Sequence, residues 1–148
     1  MAVVVITGCN SGFGLHASLT FARQGHEVFA TVRNLDRATP LLDAAKAEDL
    51  ELHVLRLDVR DADSVDGAVA EVMERSGRID VCVNNAGLEL RGPIEECSDD
   101  EVLVQFDTNV FGLLRVVRAV VPIMRQQGAG VIVNVGSIAG LRPRQVAV

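Results

Sequence analysis

The chain has 148 residues, 49% of them hydrophobic, which suffices for one domain with a core, but only 3% are aromatic, so Val, Ala, Leu and Ile must do most of the packing. A formal net charge of −6 argues against a nucleic-acid surface, which needs clustered positive charge. The three cysteines, Cys9, Cys82 and Cys97, are odd in number, far apart and form no C-x-x-C pair, which excludes an ordinary disulfide framework or zinc site and fits reduced thiols in a cytoplasmic protein.

No basic stretch precedes the first apolar run, so no signal peptide is legible, and Val3-Val4-Val5-Ile6 is too short for a membrane segment. Val3 to Thr7 instead reads as a buried strand. Gly12 to Gln24 reads as a helix with Leu15, Leu19 and Ala22 on one face, ended by Gly25. Glu27 to Val32 is a second strand, a helix around Leu41 to Ala47 follows Pro40, and Leu52 to Leu57 is a third strand. Asp61 or Asp63 can cap the next helix, which buries Val69, Val72 and Met73 and stops at Gly77. Val81 to Asn84 is a fourth strand. Ser98-Asp99-Asp100-Glu101 is a capping box. Helical periodicity continues through Val110, Leu114, Val117 and Val121 to Gln127, apolar on more than one face, with Pro122 expected to bend it or mark a boundary. Gly128-Ala129-Gly130 breaks the helix, and Val131 to Val135 is a fifth strand. This βαβ rhythm implies a parallel sheet covered on both faces. No linker divides it, so residues 1–148 read as a single domain.

The sharpest local signal is Thr7-Gly8-Cys9-Asn10-Ser11-Gly12-Phe13-Gly14, between the first strand and the first helix. There the backbone must turn tightly, approach a phosphate and let the helix pack on the sheet, and glycine permits all three. Free amides at the helix N-terminus favour negative charge. The spacing is G-x-x-x-G-x-G, and it is not a P-loop: no G-K-[ST] follows, and Lys46 is the only lysine. A glycine-rich turn without a ligand is the competing reading. Cys9, inside this loop, is a candidate for an accessible thiol. His16, His26 and His53 are scattered and suggest packing or surface roles, so no metal site is expected.

With these residues in view, the chain resembles the short-chain dehydrogenase/reductase family. The resemblance rests on the glycine loop, on Leu57-Asp58-Val59 after the third strand, and on Asn84-Asn85-Ala86-Gly87 after the fourth. It extends to Asn109 within Phe106-Asp107-Thr108-Asn109-Val110-Phe111-Gly112 and to Ser137 within Asn134-Val135-Gly136-Ser137-Ile138-Ala139-Gly140. It implies an α/β fold, a Rossmann-type doubly wound parallel sheet, incomplete at its C-terminal edge. It implies an oxidoreductase that interconverts an alcohol and a ketone or aldehyde by hydride transfer. Gly8, Asn10, Ser11, Gly12, Phe13 and Gly14 would cradle the cofactor diphosphate. Asp58 would accept from the adenine amino group, helped by the Val59 backbone, while Asn85, Ala86 and Gly87 line the ribose and hold the central strands. Taken alone, Asp58 reads as a helix cap or a solvated strand end, and Asn84 as structural.

The end of the second strand separates the two nicotinamide cofactors. A carboxylate there would bind the ribose hydroxyls of NAD, but the chain has Thr31-Val32-Arg33-Asn34. The planar fork of Arg33 matches the 2′-phosphate of NADP, so NADP is expected over NAD, with a solvated surface arginine as the alternative. In the family a tyrosine acts as general acid/base, a lysine four residues later lowers its pKa, the serine holds the substrate oxygen and the asparagine supports a proton-relay water. Ser137 and Asn109 match the last two roles, but the chain contains no tyrosine, and family spacing places that residue shortly past Val148. The resemblance therefore implies a chain cut short of its catalytic tyrosine and inactive alone. The complete enzyme would take a small alcohol or ketone, with a lean towards apolar substrates such as steroids and retinoids, and would form a homo-oligomer. A non-catalytic dinucleotide-binding or dimerising module is the other reading that stays open.

Overall fold

The computed structural model describes residues 1–137, so the last three residues of the serine motif, 138–140, lie outside it. In chain order the elements are β1 (Val3–Ile6), α1 (Gly12–Arg23), β2 (Glu27–Val32), α2 (Thr39–Ala47), β3 (His53–Arg56), α3 (Ala62–Ser76), β4 (Val81–Asn84), α4 (Asp99–Phe106), α5 (Leu113–Gln127) and β5 (Val131–Asn134). Short 3₁₀ turns occupy Leu35–Arg37 and Ile94–Glu96, and a π-helical segment, Asp107–Gly112, joins α4 to α5.

All five strands are parallel, in the order β3-β2-β1-β4-β5. Val4 pairs with Val28 on one side and Val81 on the other. The chain builds outward from β1 to β3, then returns to lay β4 against the opposite side of β1. Connections leave β1 and β4 in opposite directions, and a crevice opens beyond their carboxyl ends.

Alternation along the strands splits the apolar residues between two cores. Val3, Val5 and Phe29 face α3 and α5 and meet Val65, Val72, Val116 and Val120. Val4, Ile6, Val28 and Val32 face α1 and α2 and meet Leu41, Leu15 and Phe21. Strands covered on both faces read as apolar runs rather than as alternating sequences, which is why β1 is legible as Val-Val-Val-Ile.

The helix ends follow local chemistry. Asp61, rather than Asp63, caps α3 by accepting from the amides of Asp63 and Ser64. Ser98 and Glu101 close a reciprocal capping box on α4. Gly77 and Gly128 end α3 and α5 at φ of 69° and 73°, a conformation that favours glycine. Pro40 sits inside α2, in the first turn, where its missing N–H costs no hydrogen bond.

Three expectations need correction. Val65 and Ala68 join Val69 and Val72 in the buried stripe of α3, while Met73 is half-buried at its margin. α5 runs through Pro122 without a break, the proline lying on its exposed side. The periodicity before α5 is interrupted by the π segment, whose wider turn rotates the faces. Val116, Val120 and Met124 are buried, whereas Val110 and Leu114 are exposed. β5 forms one edge of the sheet, and Val131, Val133 and Val135 are exposed there. Among the described residues no helix is long and apolar enough to cross a membrane.

Candidate functional site

A cleft of about 520 Å³ lies where the crevice was expected; small-molecule and cofactor pockets span roughly 300–1,000 Å³. Its floor is made by the loops after β1 and β4, which are sewn together. The Thr7 hydroxyl oxygen accepts from the amides of Asn85, at 3.0 Å, and Ala86, at 2.9 Å. The Asn85 side-chain amide donates to the carbonyls of Thr7, at 2.9 Å, and Gly8, at 3.0 Å. The Asn85 side chain is therefore engaged in holding the glycine loop. Gly8 has φ 72°, and a methyl there would lie 2.8 Å from the Ala86 Cα. A methyl at Gly14 would strike the Gly8 carbonyl oxygen and the Asn85 amide, so α1 can approach the sheet this closely only with glycine there. Ser11 precedes α1 in an extended conformation and makes no side-chain cap bond, and the first turn of α1 carries no acidic residue. Such a helix start offers free amides to an anion.

Cys9 is buried rather than accessible. Its thiol donates to the Ile6 carbonyl at 3.2 Å, and burial pushes its pKa up to about 11. Burial likewise raises Cys82 to about 12. Of the three thiols Cys97 alone is partly exposed.

The second wall begins at the end of β2. Val32 is buried and Arg33 exposed, and both line the cleft. The Asn34 side chain accepts from the Asp36 amide at 3.0 Å and caps the 3₁₀ turn that carries Arg37, another lining residue. Among the described residues neither Arg33 nor Arg37 has an ion-pair partner. The third wall is Asp58-Val59-Arg60. The Asp58 amide donates to the Ser64 hydroxyl, and the Asp58 Oδ1 accepts from the Arg60 amide, each at 3.0 Å. One carboxylate oxygen thus shapes the turn after β3, while the cap of α3 itself is supplied by Asp61.

The cleft gathers Gly8, Asn10, Ser11, Phe13, Arg33, Asp58, Val59, Asn85, Ala86 and Gly87 into one lining. Gly12 and Gly14 are outside the lining. Asn109 is outside it too, with its amide bonded to both backbone groups of Leu88, accepting from the N–H at 2.9 Å and donating to the carbonyl at 2.8 Å. Ser137 is exposed just past β5 and is also absent from the lining. Sequence reasoning overlooked Asn34, Arg37, Arg60, Leu88 and Thr108, which do line it. The spacing Asn34-x-Asp36 was a legible signal for the turn that presents Arg37. No cluster of metal-binding side chains occurs among the described residues.

Residues 2–148 match the family model described as short chain dehydrogenase. The human 17-beta-hydroxysteroid dehydrogenase type 1 is 43% identical over 145 residues, covering 94% of this chain and 44% of that protein. The bovine retinol dehydrogenase 8 is 41% identical over 145 residues, covering 94% of this chain and 45% of that protein. Among solved structures, an actinorhodin polyketide ketoreductase variant crystallised with NADPH superposes with a TM-score of 0.91 at 32% identity, over 97% of this chain and 56% of that one. The chain thus spans less than half the length of these two curated relatives. The parallel sheet, the stitched glycine loop and a family match over nearly the whole chain agree, and the chain belongs to the short-chain dehydrogenase family.

Proposed function

We propose that the cleft binds NADP(H) in preference to NAD(H), as the nucleotide site of an oxidoreductase that interconverts an alcohol and its ketone or aldehyde. The observation that carries this reading is Arg33, without an ion-pair partner among the described residues, on the cleft wall at the end of β2, with Arg37 also in the lining and no carboxylate in Val32-Arg33-Asn34. The residues present fit such a cofactor. The Gly8–Gly14 loop and the start of α1 bind the diphosphate, since the first turn of α1 carries no side-chain cap and no acidic residue. Asp58 accepts from the adenine amino group, the Val59 backbone lies beside it, and Ala86 and Gly87 line the ribose. Arg33 pairs with the 2′-phosphate.

When bound, the nicotinamide supplies the hydride. Ser137 holds the substrate oxygen, and the Asn109 side chain fixes Leu88 and with it the cleft floor. The named activities of the human and bovine relatives support an apolar alcohol as substrate class. The reduced, mostly buried thiols support a cytoplasmic setting. Within these 148 residues the second reading, a dinucleotide-binding module, rests on the absence of tyrosine from the sequence.

Titration of the chain with NADPH, followed by calorimetry, tests the site. One saturable binding event per chain is expected; a folded chain giving no binding heat would overturn the reading.

Self-association is the second part of the proposal. Leu103, Phe106, Val110, Phe111 and Leu114 are exposed along α4, the π segment and α5, and Val131 and Val133 on β5. Contiguous apolar surface and an open strand edge both seek cover. Light scattering at about 10–100 μM is expected to show dimers or larger species, in the concentration range where such contacts matter. A cooperatively melting monomer across that range would count against it.

A further inference from the structure

We propose that Asp107 and Arg115 are positioning residues that tie the adenine end of the cleft to the π segment carrying Asn109, so that filling one end orders the other. The inference rests on the reading of the cleft as a nucleotide site. Asp58, Val59 and Arg60 form the adenine-side wall, and two polar links to the π segment start from this loop, one at the Val59 carbonyl and one at the Arg60 guanidinium. The Arg115 Nη1 donates to the Val59 carbonyl at 3.2 Å and reaches the Asp107 carbonyl at 3.4 Å. The Arg115 Nη2 pairs with the Asp107 Oδ1 at 2.8 Å, and the Arg60 Nε with the Asp107 Oδ2 at 3.3 Å. The bond from Arg115, then that from Arg60, holds the Asp107 carboxyl below the usual carboxylate range, so the bridge stays charged near neutral pH. Packing duplicates the polar link: a methyl on Gly112 would lie 2.7 Å from the Val59 Cγ2.

The far side of the π segment is wired to the opposite end of the cleft. Thr108 lines the cleft directly, and the Asn109 amide clamps both backbone groups of Leu88, itself a lining residue. A π turn is a rare interruption of an α-helix, frequent at functional sites, and persists where its surroundings hold it. Here the holding groups come from the adenine-side loop. A ligand that fixes Asp58-Val59-Arg60 therefore fixes the Val59 carbonyl and the Arg60 guanidinium, and through them Asp107, the π segment and the Leu88 amide. Arg115 and Asp107 are absent from the cleft lining, so they act through other residues rather than on the ligand.

Hydrogen exchange with adenosine 2′,5′-bisphosphate as the probe tests this, because the probe carries the adenine end and no nicotinamide. In the unmutated chain it is expected to slow exchange at Asp58–Arg60 and also at Leu88 and 107–112, by on the order of tenfold, a usual size for coupling between sites. Arg115→Met keeps an unbranched stem and removes the guanidinium, and with it the bonds to Val59 and Asp107. With that variant the probe is expected to bind and protect Asp58–Arg60 while protection of Leu88 is lost, and Arg115→Lys should restore part of it. Asp107→Asn, which keeps the shape and weakens both ion pairs, gives the same readout if Arg115→Met fails to fold. Protection of Leu88 that survives both substitutions, or protection confined to Asp58–Arg60 in the unmutated chain, overturns the coupling while leaving the nucleotide site intact. No protection anywhere and no binding heat would instead remove the nucleotide reading beneath it.

Discussion

A polypeptide of these 148 residues is expected to reduce no ketone at a measurable rate, even with NADPH saturating. The sequence holds no tyrosine, and a general acid–base group contributes about 10²–10⁴-fold. A substitute would have to stand near the cleft, and among the described residues no lysine, histidine or cysteine lines it. Lys46, the only lysine, is exposed on α2 and outside the lining. His53 pairs with Glu27 at 3.3 Å, and His26 accepts from the Ala2 amide at 3.1 Å. Both contacts lie at the amino ends of the strands, opposite the cleft. His16 is exposed on α1, and the Cys9 thiol is buried and neutral near pH 7. The measurement is NADPH absorbance against a panel of apolar ketones, with Ser137→Ala as the control for contaminants. Turnover near 1 s⁻¹, at the lower end of the usual enzyme range of about 1–10³ s⁻¹, that disappears in Ser137→Ala would sink the expectation.

Arg33→Ala is expected to weaken NADP(H) binding by roughly 10- to 150-fold and to leave NAD(H) nearly unchanged. The two cofactors differ only in the 2′-phosphate, and hydrogen bonds to a charged group contribute about 1.5–3 kcal/mol, which converts to that factor. The structure strengthens the case, since Arg33 has no protein partner among the described residues to give up before it meets a phosphate. Arg37→Ala should act in the same direction, since Arg37 lines the same wall of the cleft. Calorimetry with both cofactors at one ionic strength decides the matter, as salt screens exposed charge. Equal loss for the two cofactors would make Arg33 a structural residue. Val32→Asp is a poor companion test, because Val32 is 1% exposed in the core and a carboxylate there would cost stability of its own.

How far the sequence revealed all this depended on whether the deciding interaction was local. β1, β2 and β4 were legible because strands buried on both faces appear as largely apolar runs, and the capping box because its partners are three residues apart. The glycine loop was legible because steric demands at Gly8 and Gly14 leave a mark in residue type. The π segment was not, since no residue type marks it, and it shifted which side of the following helix is buried. The burial of Cys9 was equally hidden: its thiol bonds locally to Ile6, but its amide bonds to Thr31, a contact that exists only once β1 and β2 pair. Asn109 and Leu88 are 21 residues apart, and nothing in either neighbourhood foretold that the asparagine amide would be used up on a backbone.

The sheet order also sets a timetable for synthesis. β1 emerges first yet lies in the middle, between β2 and β4. Its β4 side is sealed only when the Val3 amide meets the Asp80 carboxylate, across 77 residues of chain. At about 5–20 residues per second, a ribosome leaves that side of β1 open for roughly 4–15 seconds. The nascent β1-β2-β3 unit must therefore survive with its most apolar strand as a bare edge, a pairing template for any similar strand nearby. When β4 arrives it closes that edge and presents its own, which β5 closes in turn. Vulnerability to misassembly thus migrates outward strand by strand, and substitutions that slow the docking of β4 should lower the yield of folded protein before they change the folded state.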